Sequence, residues 1–265
     1  MITRVYDFSL EQKAELQKSW RGKKLLAYFK AYGGEYDFCQ FFLAKYEDHE
    51  NAEGYMFMLN STLVICSNDV LPTEEIADFI KMHLPFRVEC PQNMLADLSK
   101  MSNYQQLRRT LFALKSDNIS ATFDEADVEF NPKLSDVYDI LKEGFPNLID
   151  YPLWLTDTSH RCRHGVSHVL TYKNSTTVTI VFDQENHVMI GQVATRIANR
   201  GSGYARDFLK WLAAWLGELG KDAVLYALDI RRSFYQQIGF EEVETEYVLE
   251  RVDIKKEGTE KGALQ

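Results

Sequence analysis

The segment Val193-Ala194-Thr195-Arg196-Ile197-Ala198-Asn199-Arg200-Gly201-Ser202-Gly203-Tyr204-Ala205 decides how the carboxy-terminal half of this chain folds. It begins as the end of a β-strand pattern and finishes as the start of a helical one. Glycines at 201 and 203 let the backbone turn sharply and approach a ligand without a Cβ in the way. Backbone amides at a helix start have no partner inside the helix, and the helix dipole adds roughly half a positive charge there. The segment therefore predicts a strand-to-helix turn that suits a phosphate group.

Basic side chains accompany this turn in a chain that is acidic overall. Arg196, Arg200, Arg206 and Lys210 lie close together, whereas the whole chain has 30 Lys and Arg against 39 Asp and Glu, a net charge of −9. The contrast favours one anionic ligand over a nucleic acid, whose binders normally carry a basic stripe. The spacing matches neither GxxxxGK[ST] nor GxGxxG, which disfavours a nucleoside-triphosphate loop and a dinucleotide fold. A simple tight turn without a ligand is the alternative.

The residues around this segment predict an α+β fold. Alternation and β-branched residues predict three strands joined by tight turns at 166–172, 176–182 and 187–195. An apolar stripe at helical spacing predicts a helix at 204–219, followed by a strand at 223–227, a helix at 230–238 and a strand at 240–251.

The amino-terminal half shows a fainter version of the same succession. Its patterns predict helices at 10–31, 74–82 and 92–100, and strands at 38–46, 55–59, 62–66 and 86–89. The residues Trp20-Arg21-Gly22 are a candidate break in the first helix. We interpret this half as a degenerate copy of the second. Polar residues at 116–122 then divide the chain into an α/β domain at 1–122, a second domain at 123–252 and a polar tail at 253–265. The turn at 67–72 has no glycine and carries an acid, which makes it a poor anion site.

Composition bounds the class of protein. Hydrophobic residues make up 45% and charged residues 26%, as in ordinary globular proteins. No apolar run approaches the roughly 18 residues of a membrane span, and the polar amino terminus lacks the apolar core of a secretory signal. Cys39, Cys66, Cys90 and Cys162 are scattered without a CxxC pair, which argues against a disulfide framework. We expect a cytoplasmic protein that binds neither membranes nor nucleic acid.

A second motif connects the chain to a known family. Tyr235-Gln236-Gln237-Ile238-Gly239-Phe240 follows the next strand downstream of Val193-Ala194-Thr195 and Arg200-Gly201-Ser202-Gly203-Tyr204-Ala205. This pair of motifs resembles the GNAT superfamily of acyl-CoA-dependent N-acetyltransferases. The resemblance covers roughly residues 135–252. It implies a GNAT-like mixed, mainly antiparallel sheet flanked by helices, and an acyl-CoA, most simply acetyl-CoA, as co-substrate without a metal.

The resemblance also implies roles for individual residues. Val193, Ala194 and Thr195 would offer backbone groups to the pantetheine amides. The amides of Arg200, Gly201, Ser202, Gly203, Tyr204 and Ala205 would hold the pyrophosphate. Ser233 would lie beside the pantetheine, and Tyr235 would protonate the departing thiolate after an amine attacks the acyl carbonyl. The acceptor would be a small-molecule or peptide amine, and the first domain would form part of the acceptor cleft or a partner surface.

Departures from the family pattern leave two alternatives open. Ala198 replaces a polar residue of the first motif, Asp229 replaces an asparagine, and no carboxylate lies in 188–193 to act as a base. Asp183, Glu185, His187 and His168 are candidates for a relay through water, although each is more typical of a turn or surface position. A non-catalytic acyl-CoA-binding protein is therefore the alternative to an enzyme, and a purely structural protein is a second one.

Three histidines recur every four residues at 160, 164 and 168, with Cys162 between the first two. A continuous helix would place them on one metal-binding face. Gly165 and the alternation after Val166 predict that the helix ends within the cluster and breaks this face. We favour a solvated helix end, with acceptor recognition as the functional alternative.

Overall fold

The computed structural model describes residues 1–45, 53–66, 71–101, 103–114, 122–184 and 186–252. Most of the turn predicted at 67–72, nearly all of the linker predicted at 116–122 and the tail predicted at 253–265 lie outside the described residues.

Two runs of elements follow each other along the chain in the same order: a strand, two helices, three strands, a helix, a strand, a helix and a strand. The first run contains β1 (Ile2–Val5), α1 (Leu10–Leu16), α2 (Trp20–Tyr32), β2 (Cys39–Lys45), β3 (Glu53–Leu59), β4 (Thr62–Cys66), α3 (Thr73–His83), β5 (Arg87–Glu89), α4 (Gln92–Leu98) and β6 (Tyr104–Leu114). The second contains β7 (Val128–Glu129), α5 (Leu134–Gly144), α6 (Tyr151–Arg163), β8 (His168–Tyr172), β9 (Thr176–Gln184), β10 (His187–Thr195), α7 (Tyr204–Glu218), β11 (Asp222–Leu228), α8 (Asp229–Gln237) and β12 (Glu241–Arg251). That the first run is a degenerate copy stays a prediction.

All of these strands form one sheet in the order β1-β2-β3-β4-β5-β12-β6-β11-β10-β9-β8-β7. The pairs β4–β5 and β10–β11 are parallel, and the remaining neighbours are antiparallel. Helices cover the sheet, so the prediction of a mixed, mainly antiparallel sheet flanked by helices is confirmed.

The two runs exchange their last strands. Strand β11 pairs with β6 of the first run, from Ala223 opposite Leu114 to Leu228 opposite Arg109. Strand β12 lies between β5 and β6, both of the first run. The boundary near residue 122 therefore separates two successions along the chain but not two sheets, and its status as a domain boundary stays a prediction.

Side chains of the carboxy-terminal strands point alternately to two faces. Ile190 and Leu225 pack with α7 and α8, on what we call the α7/α8 face. Their neighbours Met189 and Val224 pack with α1 and α2 on the opposite side, which also carries α5 and α6 and which we call the α2/α6 face. Helix α2 thus covers strands from both halves of the chain.

The helical pattern at 10–31 forms two helices, and the second begins at Trp20, at the candidate break in residues 20–22. Ser19 caps α2 and its hydroxyl accepts from the Gly22 amide at 3.0 Å. A Cβ at Gly22 would lie 2.0 Å from the Leu16 carbonyl oxygen, so Gly22 allows α2 to pack against the end of α1. The long strand β6 was not predicted, because its central residues are polar and break the apolar alternation.

Candidate acyl-CoA site

Strand β10 pairs with β11 over only the first half of its own length. Its parallel pairing with β11 runs from His187 to Ile190, opposite Leu225, and β11 continues beside β6. Beyond that point the register of β10 against β9 shifts between Gly191 and Ala194, where Gln192 has a φ of 48°. Such a bulge redirects a strand. The opening between 191–195 and β11, which we call the strand gap, exposes a backbone edge that an extended ligand can pair with.

The turn after β10 presents free amides. Gly201 and Gly203 have φ of 83° and 80°, and α7 starts after Gly203 without a side-chain cap. Among the described residues, none accepts a hydrogen bond from the amides of Gly201, Gly203, Tyr204 or Ala205. The Arg200 and Ser202 amides instead donate to Ile197 and Asn199 within the turn, at 3.2 and 3.4 Å. The turn therefore offers part of the predicted amide set to an anion.

Glu143, at the end of α5, holds this turn in place. Its carboxylate accepts from Arg196 Nη1 at 3.2 Å and from the Ile197 amide. Arg200 donates to the Glu143 carbonyl at 2.7 Å and to the Thr195 carbonyl at 3.2 Å. The sequence pattern did not single out Glu143, because nothing local links α5 to a turn more than fifty residues later.

The positive charge expected at the turn is partly neutralised. Arg196 pairs with Glu143, and Arg206 folds back onto Asp207 at 2.7 Å. Among the described residues Lys210 has no acidic partner within 4.0 Å. Attraction for an anion thus comes from the backbone amides and the helix dipole, together with Arg200 and Lys210, which have no acidic partner among the described residues.

Tyr235 lies on the α7/α8 face beside the start of the strand gap. Its ring is 5.7 Å from that of Phe112, and Phe112 is the cross-strand partner of Leu225, which is opposite Ile190. Burial raises the pKa of the Tyr235 phenol, and no described residue hydrogen-bonds its hydroxyl. Ser233, on the same helix, is exposed.

The predicted binding residues fall on the two sides of this site. Ala194 is buried against α5. A Cβ built on Gly144 would lie 2.9 Å from the Cβ of Ala194. Val193 packs partly into the core under α7, and the Thr195 hydroxyl lies 3.0 Å from that of Thr176. Tyr204 stands edge-on to Tyr172 at 5.6 Å, which fixes the first residue of α7.

Two of the candidates for a proton relay, Asp183 and His187, lie away from the strand gap. Asp183 pairs with Lys221, and His187 packs against Trp20 at 4.8 Å at the first residue of β10. Gly191 lies four residue steps along the strand from His187, a distance of about 13 Å. His168 is exposed at the edge of β8, and Glu185 lies outside the described residues.

The histidine cluster does not form a metal centre in the described part of the chain. His160 stacks on Tyr32 at 4.7 Å and its Nε2 bonds the Ala31 carbonyl at 2.8 Å. No group of three or more potential ligands occurs among the residues that the structure describes. Helix α6 ends at Arg163, just before His164, slightly earlier than the predicted end between His164 and His168, and His168 lies on β8.

The corresponding turn of the first run is built differently. Helix α3 starts after Pro72, which has no amide hydrogen, and no side chain caps it. Leu71 is fully buried and lies 2.5 Å from where a Cβ of Gly54 would be. Apolar packing at this helix start agrees with the expectation of a poor anion site.

The strand gap, the glycine turn and the helix that follows belong to a fold that also occurs in solved structures. An acetyltransferase of the GNAT family from Colwellia psychrerythraea superposes with a TM-score of 0.56 over 96% of this chain and 100% of its own, at 14% identity. A GCN5-related N-acetyltransferase from Sphaerobacter thermophilus gives 0.58 over 87% and 85%, at 18% identity.

The chain has the GNAT fold. A Drosophila protein superposes over 95% of this chain and 98% of its own with a TM-score of 0.62, at 10% identity. The 96% coverage by the Colwellia acetyltransferase shows that the likeness in fold includes both runs of elements. No protein-family model and no curated protein matches the sequence. Within the described residues, no helix is long and apolar enough to span a membrane.

Proposed function

We propose that the protein transfers an acyl group, most simply acetyl, from acyl-CoA to the amine of a small-molecule or peptide acceptor. The observation that carries the proposal is the continuity of the strand gap with the free amides of Gly203, Tyr204 and Ala205, and its position beside Tyr235. An extended pantetheine fits the first feature, and a pyrophosphate fits the second. A cytoplasmic location remains a prediction.

The residues divide the proposed chemistry between them. Acyl-CoA supplies an activated thioester, whose arm would pair with Val193, Ala194 and Thr195 and pass Ser233. The acceptor nitrogen forms a bond to the acyl carbon, the carbon–sulfur bond breaks, and Tyr235 gives its proton to the sulfur. The proton of the attacking amine leaves to solvent, since the described residues 188–193 contain no acid. A partly buried phenol with a raised pKa stays protonated and ready to donate.

Calorimetric titration with acetyl-CoA, combined with a thiol-release assay on an amine panel, tests this function. We expect saturable binding and release of one thiol per acylated amine. Binding also raises the melting temperature, because a ligand at a hundredfold excess over its Kd stabilises by about 2.7 kcal/mol. Absence of acetyl-CoA binding would overturn the proposal.

A non-catalytic acyl-CoA-binding protein is the second candidate. It is favoured by the absence of an acid from 188–193 and by the distance of Asp183 and His187 from the strand gap. It predicts acetyl-CoA binding with no thiol release above the rate of a sample without protein.

A further inference from the structure

The geometry assigns the side from which an acceptor reaches the acyl group. This step rests on the proposed function. Tyr235 approaches the start of the strand gap from the α7/α8 face, where Phe112 and Phe240 enclose its ring at 5.7 and 5.5 Å. The attacking amine and the proton donor to sulfur cannot share this enclosed side. The amine therefore approaches from the α2/α6 face.

The end of α6 lies at the level where the strand gap begins. The Arg161 carbonyl accepts from the Val166 and Ser167 amides at 3.0 and 3.3 Å. The Ser167 hydroxyl donates to the Ile180 carbonyl at 2.6 Å, and Ile180 is the cross-strand partner of Ile190, the last β10 residue paired with β11. The buried side of α6 is thus within a few strand widths of the acyl position.

This side of α6 carries polar groups that lack partners. Trp154, Thr158 and Arg161 recur at helical spacing and are 2%, 0% and 6% exposed. Neither Trp154 Nε1 nor Thr158 Oγ1 has a hydrogen-bond partner among the described residues. Buried polar groups are nearly always hydrogen-bonded, so several unpaired ones on one helix side indicate a missing partner.

The Arg161 guanidinium has a nitrogen, Nη1, that makes no hydrogen bond to a described residue. Its Nε and Nη2 donate to Asp157 Oδ2 at 3.0 and 2.7 Å, and Tyr32 occupies the other carboxylate oxygen. Burial opposes the charge, but the Asp157 carboxylate holds the pKa of Arg161 above its ordinary value, so the guanidinium stays positive.

An uncharged phenol lies beside Arg161. The Arg161 guanidinium lies 5.9 Å from the centre of the Tyr28 ring, and burial raises the pKa of the Tyr28 phenol, which stays neutral. Among the described residues, Asp157 is therefore the one acid that pairs with Arg161.

We propose that Trp154, Thr158 and Arg161 bind a carboxylate of the acceptor, which makes the acceptor an amino-acid-like amine. A guanidinium fork matches a carboxylate, and such charge-assisted hydrogen bonds are stronger than neutral ones. The carboxylate would also accept hydrogen bonds from the Trp154 indole N–H and the Thr158 hydroxyl.

Matched acceptors test the proposal in the wild-type protein. The thiol-release rate with acetyl-CoA is measured for L-alanine, L-leucine and L-glutamate and for the corresponding carboxamides, and kcat/KM is expressed per concentration of neutral amine. We expect the carboxylates to exceed the carboxamides at least tenfold. Equal values, or a preference for the carboxamides, would overturn the assignment. Binding of acetyl-CoA is titrated in parallel, so a failure of the proposed function is recognised separately.

Variants identify the residue responsible. Arg161→Gln combined with Asp157→Asn removes both charges of the pair and leaves no buried ion without a partner, while Arg161→Lys keeps the charge but loses the fork. We expect both to raise KM for the carboxylates at least tenfold and to leave the Kd of acetyl-CoA and the carboxamide rates unchanged. The exposed Arg163→Gln is the control and should behave as wild type. A carboxylate preference that survives both Arg161 substitutions would sink the proposal.

Discussion

Tyr235 is a phenol whose surroundings suit proton donation. It is partly buried among Phe112, Phe234 and Phe240, and burial raises its pKa. The proton therefore remains on the oxygen throughout the pH range in which amines react, because the ordinary value is already 10.0. Under the proposed function, a rise in rate with increasing pH below about pH 10 would report deprotonation of the acceptor amine rather than of Tyr235.

Tyr235→Phe removes the proton donor and leaves the ring contacts. We expect kcat to fall by about 10²-fold, the lower end of what general acid catalysis contributes, while acetyl-CoA binding is unchanged. Steady-state kinetics and a binding titration measure the two. Tyr247→Phe, on β12 beside the amino-terminal core, is the matched control and should have wild-type kcat. An unaltered kcat for Tyr235→Phe would remove the general-acid role.

Glu89 is an acid buried between two cations. Burial alone would raise its pKa, but Lys24 at 2.8 Å and Arg109 at 2.9 Å hold the pKa well below its ordinary value of 4.5. A depressed folded-state pKa contributes stability above the unfolded value that is lost as the pH falls. We expect the melting temperature to decline below about pH 4.5.

The matched variant for this pH dependence is Glu89→Gln. It removes the carboxylate that Lys24 and Arg109 share, leaves Arg109 with Glu246 alone, and should lose about 3–5 kcal/mol of unfolding free energy at pH 7. Its melting temperature should then change less than that of wild type between pH 6 and pH 3, as followed by circular dichroism. If the melting temperatures of the two proteins fell equally with pH, Glu89 would not be the cause of the acid destabilisation.

Helix α7 depends on the backbone conformation of a single glycine at its start. Gly203 adopts a φ of 80°, and a Cβ there would lie 2.7 Å from Arg206 Nη2. The free amides of Tyr204 and Ala205 take their direction from this residue. Helix starts with a polar side-chain cap satisfy one of these amides internally, whereas a glycine leaves them open to a ligand.

Gly203→Ala forces a side chain into the left-handed region. We expect a loss of about 1 kcal/mol in unfolding free energy and at least a tenfold weaker binding of acetyl-CoA. Gly217→Ala is the control in the same helix, because nothing lies within 4 Å of its Cβ position and its φ is not positive. That change should stabilise by up to about 1 kcal/mol and leave binding unaltered. Equal binding by both variants would contradict the role of Gly203.

The whole molecule is tied together by strands that the two runs exchange. Strands β6 and β12 have 11 residues each, and their sixth residues, Arg109 and Glu246, are direct cross-strand partners that form an ion pair. Residues at equivalent positions of the two runs therefore meet at a local two-fold axis. In a dimer of identical chains such a position would face its own copy with the same charge. A single chain allows the two positions to differ and to attract each other.

A chain of residues 123–252 tests the consequence of this exchange. It lacks β5 and β6, so one edge of β11 and both edges of β12 lose their partners, and unpaired edges promote aggregation or pairing with a second chain. We expect this fragment to be insoluble or dimeric on size-exclusion chromatography with light scattering, while the full chain gives a sharp thermal transition. A soluble, folded monomer of 123–252 would show that the second run is an independent domain.

Local patterns in the sequence determined most of what surrounds the candidate cofactor site. The strand at 187–195 matches its prediction, and the helix after Gly203 begins as predicted, because alternation, helical spacing and glycine conformations act over a few residues. The same is true of α8, which carries Tyr235. Only the tertiary structure decided which of these residues meet. Glu143 at the turn, Phe112 beside Tyr235, the exchange of β6 and β12, and Arg161 against α2 are contacts between segments far apart in the chain. Burial and charge pairing decide such contacts only once the whole sheet has formed, and no local spacing encodes them.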